Sequence, residues 1–154
     1  MSHLPIEDTD VFRVFDELSD ELWNEAVKWP SFAQEVLGKQ LVRALDSVGA
    51  NLVEGDGRYS DAEAIHFFEY ARGSARESRF FIRKAMKRNL VGAAIANGQV
   101  ERIESGLKML NSLINYRRRT KNVGAVRERG IEYLPNAQRQ SPNASPTSFL
   151  TEEI

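Results

Sequence analysis

Apolar residues return at helical spacing in four separate runs, and nowhere do they alternate with period two. This confines the chain to an all-α fold. The first run is Val11, Val14, Phe15, Leu18, Leu22, Ala26 and Trp29; the second is Leu37, Leu41, Leu45, Val48 and Leu52. Ala64, Phe68, Ala71, Ala75, Ile82 and Met86 make the third, and Val100, Ile103, Leu107, Leu110 and Ile114 the fourth. Four helices with short connections predict an antiparallel up-down-up-down four-helix bundle.

Local signals set the expected boundaries. Residues 1–8 read as a frayed or extended lead-in, and Thr9 or Asp10 as the first N-cap. Pro30 stops the first helix. Gly55 sits where a left-handed residue would end the second. Ser60 and Glu63 fit a capping box opening the third, which runs to about Asn89. Asn97 or Gly98 precedes the fourth. Residues 1–121 are therefore expected to form the bundle. Beyond them Gly124, Gly130, Pro135, Pro142 and Pro146 among many polar residues predict a mobile, largely unstructured tail over 122–154.

The third helix carries a second strip, Phe67, Tyr70, Ser74, Phe81 and Ala85. Two strips need more neighbours than one small bundle supplies, which predicts a homo-oligomer.

Net charge is −1 but unevenly spread. Residues 1–55 hold 4 Lys/Arg against 11 Asp/Glu, whereas residues 56–120 hold 13 against 7. There are no cysteines, so disulfides and thiolate metal sites are excluded. No apolar run approaches the ~20 residues of a membrane-spanning helix, and the first residues have no signal-peptide pattern. No membrane association is expected, and the cytoplasm is the expected location.

Familiar catalytic patterns fail on their context. Glu63 and His66 have the Glu-x-x-His spacing of di-iron bundles, but such sites need two pairs, and the chain has only one other histidine, His3. Gly55 and Gly57 do not follow a strand, so they read as turn glycines rather than a phosphate loop. No nucleophile has a base and orienting acid at hand. The sequence predicts a non-enzyme, with no catalytic residue, metal or cofactor.

Two groups of polar residues remain. Asn51, Glu54, Gly55, Arg58, Gly73, Ser74 and Glu77 read as a polar clamp between the second and third helices. In it Arg58 compensates Glu54 near a helix C-terminus, and Gly73 permits close packing. Arg72, Arg76, Arg79, Arg83 and Lys87 fall within about 80° on the third helix, at 100° per residue. They are expected to pair with the acidic face of the first helix, in the same or a neighbouring subunit, or to bind phosphates. Arg117, Arg118, Arg119 and Lys121 lack an obvious acidic match in the sequence and are candidates to grip nucleic-acid phosphates.

The run Asn51-Leu-Val-Glu-Gly55, then Gly57-Arg58, then Gly73-Ser74 and Glu77, resembles the four-helix-bundle family of 23S ribosomal RNA intervening-sequence proteins. That family shows Ser-Ile-Pro-x-Asn-Ile-Ala-Glu-Gly-x-x-Arg followed by Gly-Ser-x-x-Glu. Val48-Gly49-Ala50 replaces Ile-Pro-x, and Leu52-Val53 replaces Ile-Ala. The resemblance covers roughly residues 10–120. It implies a cytosolic bacterial protein, a homopentameric barrel and no established enzymatic activity. Relatives include accessory proteins of diversity-generating retroelements, which bind nucleic acid and a reverse transcriptase. Two readings follow: an oligomeric scaffold binding RNA or DNA through basic surfaces, or a purely structural protein–protein assembly module.

Overall fold

The computed structural model describes residues 4–132, with side chains placed through Asn122. Four long helices pack around one apolar core, and no strand is present among the described residues. The first helix, α1, is Asp10–Ala26. The second, α2, covers residues 31–56 as an α-helical start Ser31–Ala33, a π-helical turn Gln34–Gly38 and the α-helix Lys39–Asp56. The third, α3, is Asp61–Lys87, and the fourth, α4, is Ala93–Glu132.

Several ends form as their residues dictate. Thr9 caps α1 by accepting from the Phe12 amide at 3.4 Å. Ser60 caps α3 by accepting from the Glu63 amide at 3.2 Å. Glu63 does not reach back to the Ser60 amide; its carboxylate accepts from the Ser60 hydroxyl at 3.1 Å. The chain before α1 is not extended throughout: Ile6–Asp8 is a 3-10 turn, with Ile6 buried and its amide donating to Asp56 at 3.3 Å.

Three expected boundaries move. Gly55 is not a left-handed terminus; it lies inside α2 and is buried. A methyl there would come 2.6 Å from the ring of the fully buried Phe68. The glycine is required by α3's approach, not by a turn. The left-handed residue is Asn89, at φ 57°, just past α3. The fourth helix starts at Ala93 rather than near Gly98, and it continues to Glu132, beyond the boundary expected at 121. Residues 133–154, the rest of the expected tail, lie outside the described residues, as does His3.

The core is made by α1's Phe15, Leu18 and Leu22, α2's Leu41, Leu45 and Leu52, α3's Phe68 and Ile82, and α4's Ile103, Leu110 and Ile114, all essentially inaccessible to water. Each such side chain contributes about 1.5–3 kcal/mol by leaving water. Gly106 of α4 faces Phe15 so closely that a methyl would lie 2.6 Å from its ring. Each helix packs chiefly on its sequence neighbours, and α4 closes the ring against α1. This leaves α1 and α3 on opposite corners.

Candidate nucleic-acid interface

The α3 cations do not meet the acidic face of α1 within the chain, because the two helices stand diagonally across the bundle. They line the seam between α3 and α4 instead. Arg72 donates to Asn111 at 3.2 Å and lies 3.7 Å from Glu69. One turn on, Arg76 is exposed and has no ion pair among the described residues. Arg79 pairs with Glu104 of α4 at 2.5 Å. Together with Lys108 and Leu107 these residues line a polar groove of about 500 Å³. Arg83 and Lys87 are exposed farther along α3, again without an ion pair among the described residues.

Two of the three arginines at the far end of α4, Arg117 and Arg118, do have acidic matches. Arg117 is about three-quarters covered, donates to Asp61 at 2.9 Å and lies 3.6 Å from Asp56. Thr120 donates to the other Asp61 oxygen at 3.0 Å. Asp61 thus gains two donors at the first residue of α3, where the helix dipole already favours a negative charge. Arg118 pairs with Glu69 at 2.6 Å. Among the described residues Arg119 bonds only to the Asn115 carbonyl, at 3.4 Å, and Lys121 is exposed. Arg117 is a tie between elements, while Arg118 extends the α3–α4 seam. The sequence signal was present: in an up-down-up-down chain the end of the fourth helix lies beside the start of the third.

The polar clamp is narrower than the motif. Asn51 donates to the Ser47 carbonyl at 2.7 Å and to its hydroxyl at 3.1 Å. The Ser47 and Ser74 hydroxyls are 3.0 Å apart across α2 and α3. Ser47, one turn before Asn51 and the first serine of the family pattern, is the member missing from the expected clamp. Glu54 and Arg58 form an ion pair within the α2 end, and the Arg58 guanidinium lies 4.5 Å from the centre of the Phe67 ring on α3. Gly73 does not serve close packing within the chain: no atom lies within 4 Å of where its methyl would be. Glu77 is exposed and borders a small cleft with Arg43, Ser47 and Ser74.

A third polar cluster joins α1 to α4. Arg102 and Gln99 both donate to Glu21. Partial burial would raise the Glu21 carboxyl, but the hydrogen bonds from Arg102 and Gln99, with the charge of Arg102, outweigh it and hold it below its ordinary value. Buried Gln99 Oε1 and Trp29 Nε1 have no hydrogen-bond partner among the described residues.

No three His, Asp or Glu residues converge on a metal-sized space among the described residues. No helix there is long and apolar enough to cross a membrane. The second strip of α3 is partly covered: Ala85 is buried and Phe67 half-buried, but Tyr70 is 60% exposed, as is neighbouring Phe80 at 53%.

A family model described as 23S rRNA-intervening sequence protein matches residues 7–112. The chain is similar in fold to a crystal structure of a protein of unknown function from the S23 ribosomal protein family of Bacteroides thetaiotaomicron VPI-5482. Identity is 21% and the TM-score 0.60, over 68% of this chain and 97% of the other. Among curated proteins, none matches.

Proposed function

The chain belongs to the 23S rRNA-intervening sequence protein family, and from that premise we propose a non-enzymatic, self-associating scaffold that binds RNA or DNA phosphates in the cytoplasm. The observation that carries this is the α3–α4 seam. Arg72, Arg76, Arg79, Lys108 and Arg118 stand along it, against Glu69 and Glu104 among the described residues. Cations in excess of their acids, spaced by single helical turns, suit a polyanionic backbone rather than a small ligand. The fold underlying the proposal is an antiparallel bundle, supported by partner numbers that run in opposite directions: Arg72 with Asn111, Arg79 with Glu104. Assembly into a homopentamer follows the family resemblance, and the exposed Tyr70 and Phe80 support self-association.

The test is titration of a single-stranded RNA or DNA over a range of salt. Binding is expected to weaken linearly in log–log form. Changing both Arg76 and Lys108 to Ala should flatten the slope by about 1.4, at roughly 0.7 per phosphate contact on a single strand. Neither residue packs in the core, so the melting temperature should hold. No binding at low salt, with assembly intact, would leave the chain a protein–protein assembly module.

A further inference from the structure

Four positions of the sequence motif, Ser47, Asn51, Ser74 and Glu77, lie where α2 faces α3, and neither the core nor the basic seam uses them. The cleft there, which Arg43 also borders, measures about 180 Å³. A pocket for a drug-sized ligand holds roughly 300–1,000 Å³, so this one suits a single planar ring system. Its hydrogen bonds have a direction. The Asn51 amide donates to the Ser47 hydroxyl at 3.1 Å, and the Ser47 and Ser74 hydroxyls are 3.0 Å apart. Each hydroxyl has one proton to give. With Asn51 as donor, the series runs from Asn51 through Ser47 to Ser74 and ends on a Ser74 proton with no acceptor among the described residues. Arg43 of α2 and Glu77 of α3 are exposed and have no ion pair among the described residues. Glu69, two turns earlier on α3, is by contrast held by Arg118 and Arg72. An uncompensated carboxylate near a track of phosphates is unfavourable unless the ligand brings N–H donors to it.

We propose that this cleft binds a guanine base and so reads the strand that the α3–α4 seam grips, a reading that rests on the nucleic-acid function of the seam. Guanine carries two neighbouring N–H donors, N1 and N2, followed on the same perimeter by two acceptors, O6 and N7. The Glu77 carboxylate accepts from the first pair, and the Arg43 guanidinium donates to the second. The Ser74 proton adds a donor toward O6. Cytosine offers the carboxylate a single amino group, adenine offers the guanidinium no adjacent pair of acceptors, and uracil has one N–H between two carbonyls. Tyr70, one turn before Ser74 on the same edge of α3, is 60% exposed. Its ring stands edge-on to Phe67, with 5.9 Å between ring centres, and provides a surface on which an unpaired base stacks. Gly73 opens the route from seam to cleft. At about 100° per residue it lies roughly midway between Arg72 on the seam and Ser74 on the cleft. It has no side chain, and no atom lies within 4 Å of where one would begin, so a strand can cross α3 there.

The test is fluorescence anisotropy of the full chain with a labelled RNA strand of uridines, and with the same strand carrying one central guanine, adenine or cytosine. The guanine strand should bind roughly 10-fold tighter than the other three. Glu77→Gln and Arg43→Lys should each erase that preference, with circular dichroism melting unchanged because both side chains are exposed. Arg43→Lys keeps the charge, so the uridine strand should retain its affinity and its salt slope. Excess guanosine monophosphate should remove the advantage of the guanine strand and leave the uridine strand bound. A preference for another base, or four strands bound alike without competition by the monophosphate, overturns the guanine site and leaves the seam standing. Monophosphate binding that Glu77→Gln abolishes, with no strand bound at low salt, supports the site as one for free guanine nucleotides and overturns the seam. A folded chain that binds neither strands nor monophosphate overturns both.

Discussion

Two glycines are spent on aromatic rings. At Gly55 and Gly106 an added methyl would fall 2.6 Å from Phe68 and Phe15, both fully buried and unable to swing aside. Gly55→Ala and Gly106→Ala should each destabilise by about 1–3 kcal/mol through overpacking, despite alanine's better helix propensity. Gly73→Ala should do the reverse in the dissociated chain, raising stability by about 0.5–1 kcal/mol. Denaturant melts of the three variants check both signs. Glu21 gives a pH signature at the same scale. Its folded carboxyl is held below its ordinary value of 4.5, so its contribution is fully present above that value. The contribution is lost as pH falls through the lower, folded value. Glu21→Gln should therefore lower stability at neutral pH and flatten its decline in acid, read as the melting midpoint against pH.

At the scale of elements, the tie that matters most is Arg117, where α4 grips the turn between α2 and α3. Arg117→Ala removes the charged donor from Asp61 and the cation beside Asp56, and should cost about 1.5–3 kcal/mol. Amide exchange should quicken first in the opening turn of α3. Helix count and the two hydroxyl caps were legible in the sequence, because period and capping are local. Gly55 and Arg117 were misread for a shared reason. Their partners, Phe68 and the Asp56 and Asp61 pair, are brought to them by topology, and a glycine near a helix end looks alike in either role. The basic groove was half legible. Helical phase places Arg72, Arg76 and Arg79 on one side of α3, but Lys108 and Asn111 complete it from a helix whose register the sequence does not show. The early start of α4 escaped because Gly98 is tolerated inside the helix, as Gly106 is, and its run to Glu132 because Gly124 and Gly130 are too.

Across the whole molecule, the ring order of the helices turns an uneven sequence into an uneven object. A near-neutral chain with a sequence pI of about 6.2 would be taken for a featureless surface. Yet acids of α1 with no ion pair among the described residues stand at one corner, and such cations of α3 at the opposite one. The bundle therefore carries an electric dipole moment across its long axis, with net charge a poor guide to its behaviour. At low salt and neutral pH the dissociated chain should be held by both anion and cation exchangers, released from each by modest salt. Lys84→Glu with Lys87→Glu should weaken retention on the cation exchanger and strengthen it on the other. A molecule polarised in this way rotates into alignment as it nears a charged surface, so it presents a chosen corner before any contact is made.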